Sequence, residues 1–563
     1  MTAQLAMASL ALTIHLWMAF VFAIDIPASP PSTHTVVSPN FLGVSFELSS
    51  VTTYFGNDTS TIPQPMVNYI AGIRARTGDA SVRLRIGGNS ADSSIYVESQ
   101  TSPMAVPNGQ NANADDQSIN YGPVLFEALA KMGQMAGGAD YLFSVPLLNP
   151  NGTIPKLVAD AKGSLGDSLN ALLLGNEPDL YQAHKERPNI ANYTVAVYET
   201  EFSGTVDILQ STFDNFAGPT ICCSWNLVDV LNAGYLSKFA LKYVTLQHYP
   251  QNFCPGLGME HQQFFLPYYM QHSNVVTLAA WQSPAYQTIT KNNSANAPRL
   301  VLSEFNSASC GGIPGLSDTF AVGGLWIADY ALQLASVGYT AAYAHTREPG
   351  ITYNLVTPPA GGNGNWTTNP PYYATIAIAE ALRTDNGGIV VDLNLSDSTQ
   401  AGYAVYDAKN SSVTRLILFN YASEPTQFTL PVTVFAGNAG KTALVKFLAS
   451  ASGANETTNV SWGGKTFAGV GDGKSAIDAT WAGAPQNLNL QCTDGCNFNA
   501  TGVSMAVVFL DNAQFAETAG PTTSGSSASP QATNSNSAPH ISGLALGAFG
   551  TVFVATAVLL FLM

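Results

Sequence analysis

The chain has 563 residues, more than one average domain needs, and its 21 basic and 37 acidic residues leave a formal charge of −16. Only 10% of residues are charged and no basic cluster occurs, which makes nucleic acid and other polyanions poor partner candidates, because binding them relies on concentrated Lys and Arg. Six cysteines, at 222, 223, 254, 310, 492 and 496, allow up to three disulfides in an oxidising compartment, with Cys492 and Cys496 closing a small loop. No Cys or His spacing resembles a zinc site, so neither a metal nor a cofactor is expected.

In chain order, residues 1–23 read as a signal peptide: an apolar run ends in Val21-Phe22-Ala23, small-residue cleavage chemistry just before Ile24. Eight strand-like runs follow, at 41–46, 82–86, 141–147, 171–174, 220–224, 243–246, 300–303 and 340–344. Most intervening segments are long enough for a helix, for example 126–135, 195–209 and 319–336. Eight alternating β and α units predict a (β/α)8 TIM barrel over 24–385, its first residues placed to add a strand to the domain that follows. A doubly wound open sheet fits less well, because no Gly-rich phosphate loop follows the first strand.

From about residue 386 the texture changes to short alternating runs at 402–406, 414–419, 426–434, 443–448 and 503–510, separated by Gly, Ser and Asn. That pattern predicts a C-terminal antiparallel β-sandwich domain over 386–515. Residues 516–540 form a linker rich in Ser, Thr and Pro, with too little apolar content to fold. Residues 541–563 are uncharged and, as a helix, would span roughly 34 Å. Small residues at 524–529, a polar spacer and an apolar tail make the pattern of a GPI-anchor signal, with a membrane span as the alternative. Ten Asn-X-Ser/Thr sequons (Asn57, Asn151, Asn192, Asn292, Asn365, Asn394, Asn410, Asn455, Asn459 and Asn499) suit a glycosylated surface. The expectation is a secreted protein at the cell surface or wall, attached to the membrane through its tail.

The chemistry concentrates at two strand ends. Leu172-Leu173-Leu174-Gly175-Asn176-Glu177-Pro178 and Leu300-Val301-Leu302-Ser303-Glu304 each read as a buried parallel strand emptying into a loop. This counting puts Glu177 after strand four and Glu304 after strand seven, on the C-terminal face where barrel enzymes keep their chemistry. Two carboxylates on one face form the pair that glycoside hydrolysis needs, and a retaining enzyme holds them about 5–5.5 Å apart. Asn176 is a sensible donor to a sugar 2-hydroxyl, or else a turn-forming Asn. Strand six ends in His248-Tyr249-Pro250 beside strand seven, so Tyr249 is placed to reach Glu304, with His248 in support. Arg85 is placed to hold Glu304 charged; either it or Arg83 on the same strand could instead form a core ion pair.

Leu174-Gly175-Asn176-Glu177-Pro178, Arg85-Ile86-Gly87-Gly88-Asn89, Tyr353-Asn354-Leu355-Val356 and above all Gly311-Gly312-Ile313-Pro314-Gly315-Leu316-Ser317-Asp318-Thr319-Phe320-Ala321 resemble glycoside hydrolase family 79, which holds microbial and fungal β-glucuronidases and animal heparanases. The resemblance implies that Glu177 is the acid/base and Glu304 the nucleophile of a retaining mechanism, with no cofactor. It implies that Glu47 hydrogen-bonds hydroxyls of the terminal sugar and that Asn89 lies in the same site. It also implies that backbone N–H groups at Ser309, Cys310 and Gly311, with the Tyr353 hydroxyl, grip a glucuronate carboxylate. Ser309-Cys310 departs from the Tyr-Gly of heparanases. Cys310 is a candidate to pair with Cys254.

The expected function is therefore an exo-β-glucuronidase that removes terminal glucuronate, or its 4-O-methyl form, from glycans. An endo-acting heparanase-like enzyme is the alternative in the same class, although it should carry basic clusters beside its cleft. A catalytically inert wall carbohydrate-binding protein is the alternative from another class.

Overall fold

Near-continuous apolar runs such as Leu169–Leu174 form strands buried on both faces, and eight of them close on each other. In a computed structural model, which describes residues 24–510 apart from 112–116, 148–151, 255–261, 292–296, 361–363, 436–440 and 475, they form a parallel barrel. The strands are β1 (Leu42–Glu47), β2 (Val82–Gly87), β3 (Ala139–Val145), β4 (Leu169–Leu174), β5 (Phe216–Ile221), β6 (Leu241–His248), β7 (Arg299–Phe305) and β8 (Ala341–Thr346). They pair in chain order, and β8 returns to β1. The predicted leader, linker and tail, and the sequons at Asn151 and Asn292, lie outside the described residues. Among the described residues no helix is long and apolar enough to cross a membrane.

Alternation along each strand decides what faces the barrel axis. Leu142, Ala171, Leu173, Ala217, Tyr243, Val301, Ala341 and Tyr343 pack together inside the barrel, whereas Leu172, Leu174, Leu300 and Leu302 join the larger core beneath the helices. The fifth strand differs most from expectation, at Phe216–Ile221 instead of 220–224. It runs straight through Gly218-Pro219, a dipeptide that reads as a breaker in sequence, and its register with β6 shifts there.

One irregularity sets the site. In β7 the register to β6 shifts between Leu302, opposite Leu246, and Glu304, opposite Gln247, so Ser303 is an extra residue. Its hydroxyl donates to the Leu246 carbonyl at 3.1 Å. Without that bulge, strict alternation from inward-facing Val301 would turn Glu304 outward; with it, Glu304 faces the axis beside Gln247.

The C-terminal domain is built on β9 (Gly388–Asp392), β10 (Gln400–Asp407), β11 (Val413–Asn420), β12 (Thr442–Ser450) and β13 (Ser504–Phe509), the centre of a nine-stranded antiparallel sheet. One face, with Tyr403, Val405, Ile417, Phe419 and Met505, continues the core under the barrel helices. The other, with Ala404, Tyr406, Leu416, Leu418 and Val508, packs against Phe428, Leu430 and Phe498 of a second, two-stranded sheet. Residues near the N-terminus return to this domain: Val37 and Gly388 exchange backbone bonds of 2.8 Å in a single bridge, and Ile24 is buried there.

Two buried carboxylates tie the sheet to the barrel. Glu380 accepts from Lys446 at 2.5 Å and from the Trp462 indole at 2.7 Å. Asp329 accepts from Tyr403 at 2.6 Å and Tyr421 at 2.8 Å, and contacts His272 Nδ1 at 3.1 Å. Burial disfavours charge on His272, but Asp329 and Asp392 override it and raise its pKa from 6.5 to about 10. Its contribution to stability is therefore complete below about pH 6.5 and is lost as pH rises through about 10. We expect His272→Ala to destabilise the protein by about 3 kcal/mol in denaturant titrations. The decline in stability of the wild type between pH 7 and 10 should flatten in that variant; an unchanged slope would remove His272 as its source.

Candidate active site

The inward residues at the C-terminal ends of the strands meet in a cavity of about 530 Å³, lined by Glu47, Asn89, Glu177, Tyr249, Glu304, Ser309, Cys310, His345, Arg347 and Tyr353 among others. Arg85 lies beneath it with no exposed surface. Its register partners are Ser45 on β1 and Leu142 on β3, which puts it in an inward layer. The guanidinium donates to Glu304 Oε2 at 2.5 Å, to Asn176 Oδ1 at 2.8 Å and to Ser45 Oγ at 3.1 Å. Arg83, two residues earlier, lies deeper among Tyr343, Tyr243 and Asp140, which favour its charge against burial. Of the two arginines, Arg85 is the one at the carboxylates.

Glu304 also accepts from the Tyr249 hydroxyl at 2.7 Å. Burial and the neighbouring Glu304 push the Tyr249 phenol well above its usual pKa, so it keeps the proton it donates. His248 does not join them. Alternation turns it out of the barrel, where it stacks on Trp281 with ring centroids 4.1 Å apart, and burial lowers its pKa to about 4.

Glu177 follows β4 in a left-handed conformation, φ 50°, its N–H bonded to the Thr220 carbonyl at 3.1 Å. For a residue other than glycine, such a backbone costs about 1–3 kcal/mol and persists only where the surroundings impose it. Here Asp92 helps, accepting from the Asn176 N–H at 2.9 Å and from the Tyr181 hydroxyl. Burial, then Glu304, then Asp179 raise the pKa of Glu177 well above the usual carboxylate range, so it holds a proton at pH values where an exposed Glu is ionised. Gln247 stands between the two halves, its amide 2.8 Å from Glu177 Oε1 and 2.7 Å from Asn176 Oδ1. With its nitrogen toward Glu177 it donates to the ionised carboxylate. Turned over, it donates to Asn176 and offers its oxygen to protonated Glu177.

The opposite wall grips. Glu47 accepts from the Ser90 N–H at 2.9 Å and lies 3.4 Å from His345 Nε2. Burial opposes its charge, but the His345 hydrogen bond, with His345 and Arg347 as nearby cations, brings its pKa down to about 2. A Cβ at Gly88 (φ 86°) would collide with the Glu47 carboxylate, which explains the Gly there. Asn89 accepts from Asn176 Nδ2 at 2.7 Å. Cys254 and Cys310 form a disulfide, and Cys310, Gly311 and Gly312 all have positive φ. A Cβ at Gly312 would meet Thr352 Oγ1 at 2.5 Å. Successive left-handed residues turn backbone N–H groups to one side, a shape suited to anions. The Ser309 N–H already donates to Gln251 at 3.0 Å, so Cys310 and Gly311 are the better backbone donors. Tyr353 is buried and lines the cavity.

Sequence reasoning passed over Asp92, Gln247, His345 and Arg347. His345 and Gln247 sit at inward strand-end positions, a signal that correct strand ends would have exposed. Asp92 and Arg347 carry no such signal.

The glycosyl hydrolase family 79 C-terminal β domain matches residues 402–507. β-Glucuronidases of Aspergillus niger and Neurospora crassa are each 25% identical to the chain, covering 79% of it and 86% and 87% of their own lengths. The chain is thus similar to glycoside hydrolase family 79 proteins, through this domain and through the two β-glucuronidases. A solved 4-O-α-L-rhamnosyl-β-D-glucuronidase from Fusarium oxysporum 12S, 21% identical, superposes with a TM-score of 0.68 over 87% of this chain and all of its own. A family 51 α-L-arabinofuranosidase from Bifidobacterium longum, 13% identical, gives 0.56 over 87% and 98%. Both likenesses concern the fold. The protein is a glycoside hydrolase.

In kinetic assays on an aryl glycoside, we expect Arg85→Met to lower kcat/KM about a thousandfold, because it leaves a buried carboxylate without its cation. Tyr249→Phe removes one hydrogen bond to that carboxylate and should cost about tenfold. Equal losses in the two variants would contradict the central place of Arg85.

Proposed function

We propose that the protein is a retaining exo-β-glucuronidase acting on terminal glucuronate, or its 4-O-methyl form, in glycans. The observation that carries this reading is the opposed treatment of two carboxylates in one cavity: Glu177 is kept protonated, and Glu304 is clasped by Arg85 and Tyr249. Glu177 donates its proton to the glycosidic oxygen while Glu304 attacks the anomeric carbon, and the C–O bond to the leaving group breaks. Water activated by the now ionised Glu177 then releases the sugar from Glu304. Glu47 and Asn176 hold sugar hydroxyls. The two relatives named β-glucuronidase support a uronide, and the Cys310–Gly311 turn with Tyr353 is suited to its carboxylate.

Exo action is supported by the scarcity of cations: among the described lining residues Arg347 is the single Arg or Lys, too few for a long sulfated chain. Three disulfides (Cys222–Cys223, Cys254–Cys310 and Cys492–Cys496) support work in an oxidising, extracellular setting.

The test is a comparison of chromogenic β-glucuronide, β-glucoside and β-xyloside, with the glucuronide expected to be hydrolysed and the others not. Activity on the glucoside alone would overturn the reading. Glu304→Gln should abolish turnover, while Glu177→Gln should spare substrates with good leaving groups, which need no protonation. The wild-type rate should fall as pH rises through the pKa of Glu177, above the range of an ordinary Glu, and that limb should vanish in Glu177→Gln.

A further inference from the structure

The wall of the cavity beside the acid/base is unlike the rest of the site. Glu47, Asn89, Tyr249, His345 and Tyr353 crowd one side with groups that grip hydroxyls and a carboxylate. On the side of Glu177 the lining is Leu180, His184 and the disulfide between the adjacent cysteines Cys222 and Cys223. Cys222 is buried and Cys223 exposed, so the ring closed by the disulfide lies at the surface of the cavity.

This turn is fastened to the acid/base. Asp179, two residues after Glu177, accepts from the backbone N–H groups of Cys222 at 3.1 Å, Cys223 at 2.8 Å, Ser224 at 2.7 Å and Trp225 at 3.4 Å. The Glu177 N–H in turn bonds the Thr220 carbonyl, so two short segments are locked at both ends. A general acid sits next to the bond it protonates, and whatever lies beyond that bond lies along the Glu177 wall.

A pyranose presents hydroxyls at its edge and C–H groups on its faces, and sugar sites commonly cover such a face with an aromatic ring. Among the described lining residues the aromatic six-membered rings are Tyr249 and Tyr353, both on the gripping side. Sulfur and its flanking CH₂ groups are polarizable and weakly hydrated, so a rigid disulfide ring offers a similar apolar surface. It needs no ordering when ligand arrives.

We propose that the Cys222–Cys223 disulfide is the platform of the leaving-group subsite, selecting β-glucuronides whose glucuronate is linked to another pyranose. The proposal rests on the β-glucuronidase reading of the same cavity. The test compares a β-glucuronosyl pyranose disaccharide with β-glucuronosyl fluoride, whose leaving group has no ring to dock. In the double variant Cys222→Ser, Cys223→Ser, kcat/KM for the disaccharide should fall about tenfold further than for the fluoride, mostly through KM. Equal falls, or none, would overturn the platform. Wild-type protein that hydrolyses neither substrate would overturn the glucuronidase reading itself, a separate result.

A second measurement needs no variant. During turnover of the fluoride, an acceptor hydroxyl can replace water, its oxygen bonding to the anomeric carbon, its proton passing to Glu177 and the ester to Glu304 breaking. Methyl pyranosides should be glucuronylated in this way at least tenfold faster than an open-chain alditol at equal concentration. No preference between them would overturn the platform.

Discussion

A single buried guanidinium organises the site. Arg85 has no exposed surface and reaches Glu304, Asn176 and Ser45 at once, so it ties strands one, two, four and seven together at the level where the barrel opens. A buried cation is tolerable only where its donors are matched by acceptors, and here one acceptor is the Glu304 carboxylate. The same charge opposes the proton on Glu177, but burial and the repulsion of Glu304 outweigh it. One layer of the barrel thus gives two chemically identical side chains opposite surroundings: Glu177 holds its proton to higher pH, and Glu304 is paired with Arg85.

Around that core the supports are built from backbone as much as side chain. The Ser303 bulge aims Glu304 inward; a left-handed backbone, braced by Asp92 under Asn176, sets Glu177. Asp92 itself is raised to about 7 by burial and by Glu186, so the brace is a carboxyl able to hold or shed its proton near neutrality. Gln247 touches both the acid and Asn176, and its two orientations suit the two protonation states of Glu177. The C-terminal sheet lies outside this chemistry. Its apolar inner face and the buried Asp329 and Glu380 pairs extend the barrel core, which holds the helices that back the strands.

Much of this was legible in the chain. Apolar runs such as Ala171–Leu174 in strand four and Leu300–Leu302 in strand seven declare buried strands because a parallel sheet has no wet face, and eight of them leave few folds to consider. The two glutamates at their ends and Tyr249 beside Glu304 follow from local order, whereas Gly311 and Gly312 stood out only through the family resemblance. His248, expected to support Tyr249, faces away from the site, since adjacent strand residues face opposite ways. His345 and Gln247 were hidden because both expected strands ended two residues too early. The Gly218-Pro219 pair disguised the fifth strand.

The sequence by itself determined the barrel, the sandwich, the carboxylate pair and the glycines that allow close approach, because each depends on spacing along the chain or on a backbone that only certain residues adopt. Tertiary structure alone decided that Glu177 is the carboxyl whose pKa is raised, that Arg85 reaches both Glu304 and Asn176, and that adjacent cysteines line the same cavity. Those outcomes depend on burial and on distances between residues far apart in sequence. One extra residue in one strand is enough to reverse which way a side chain points.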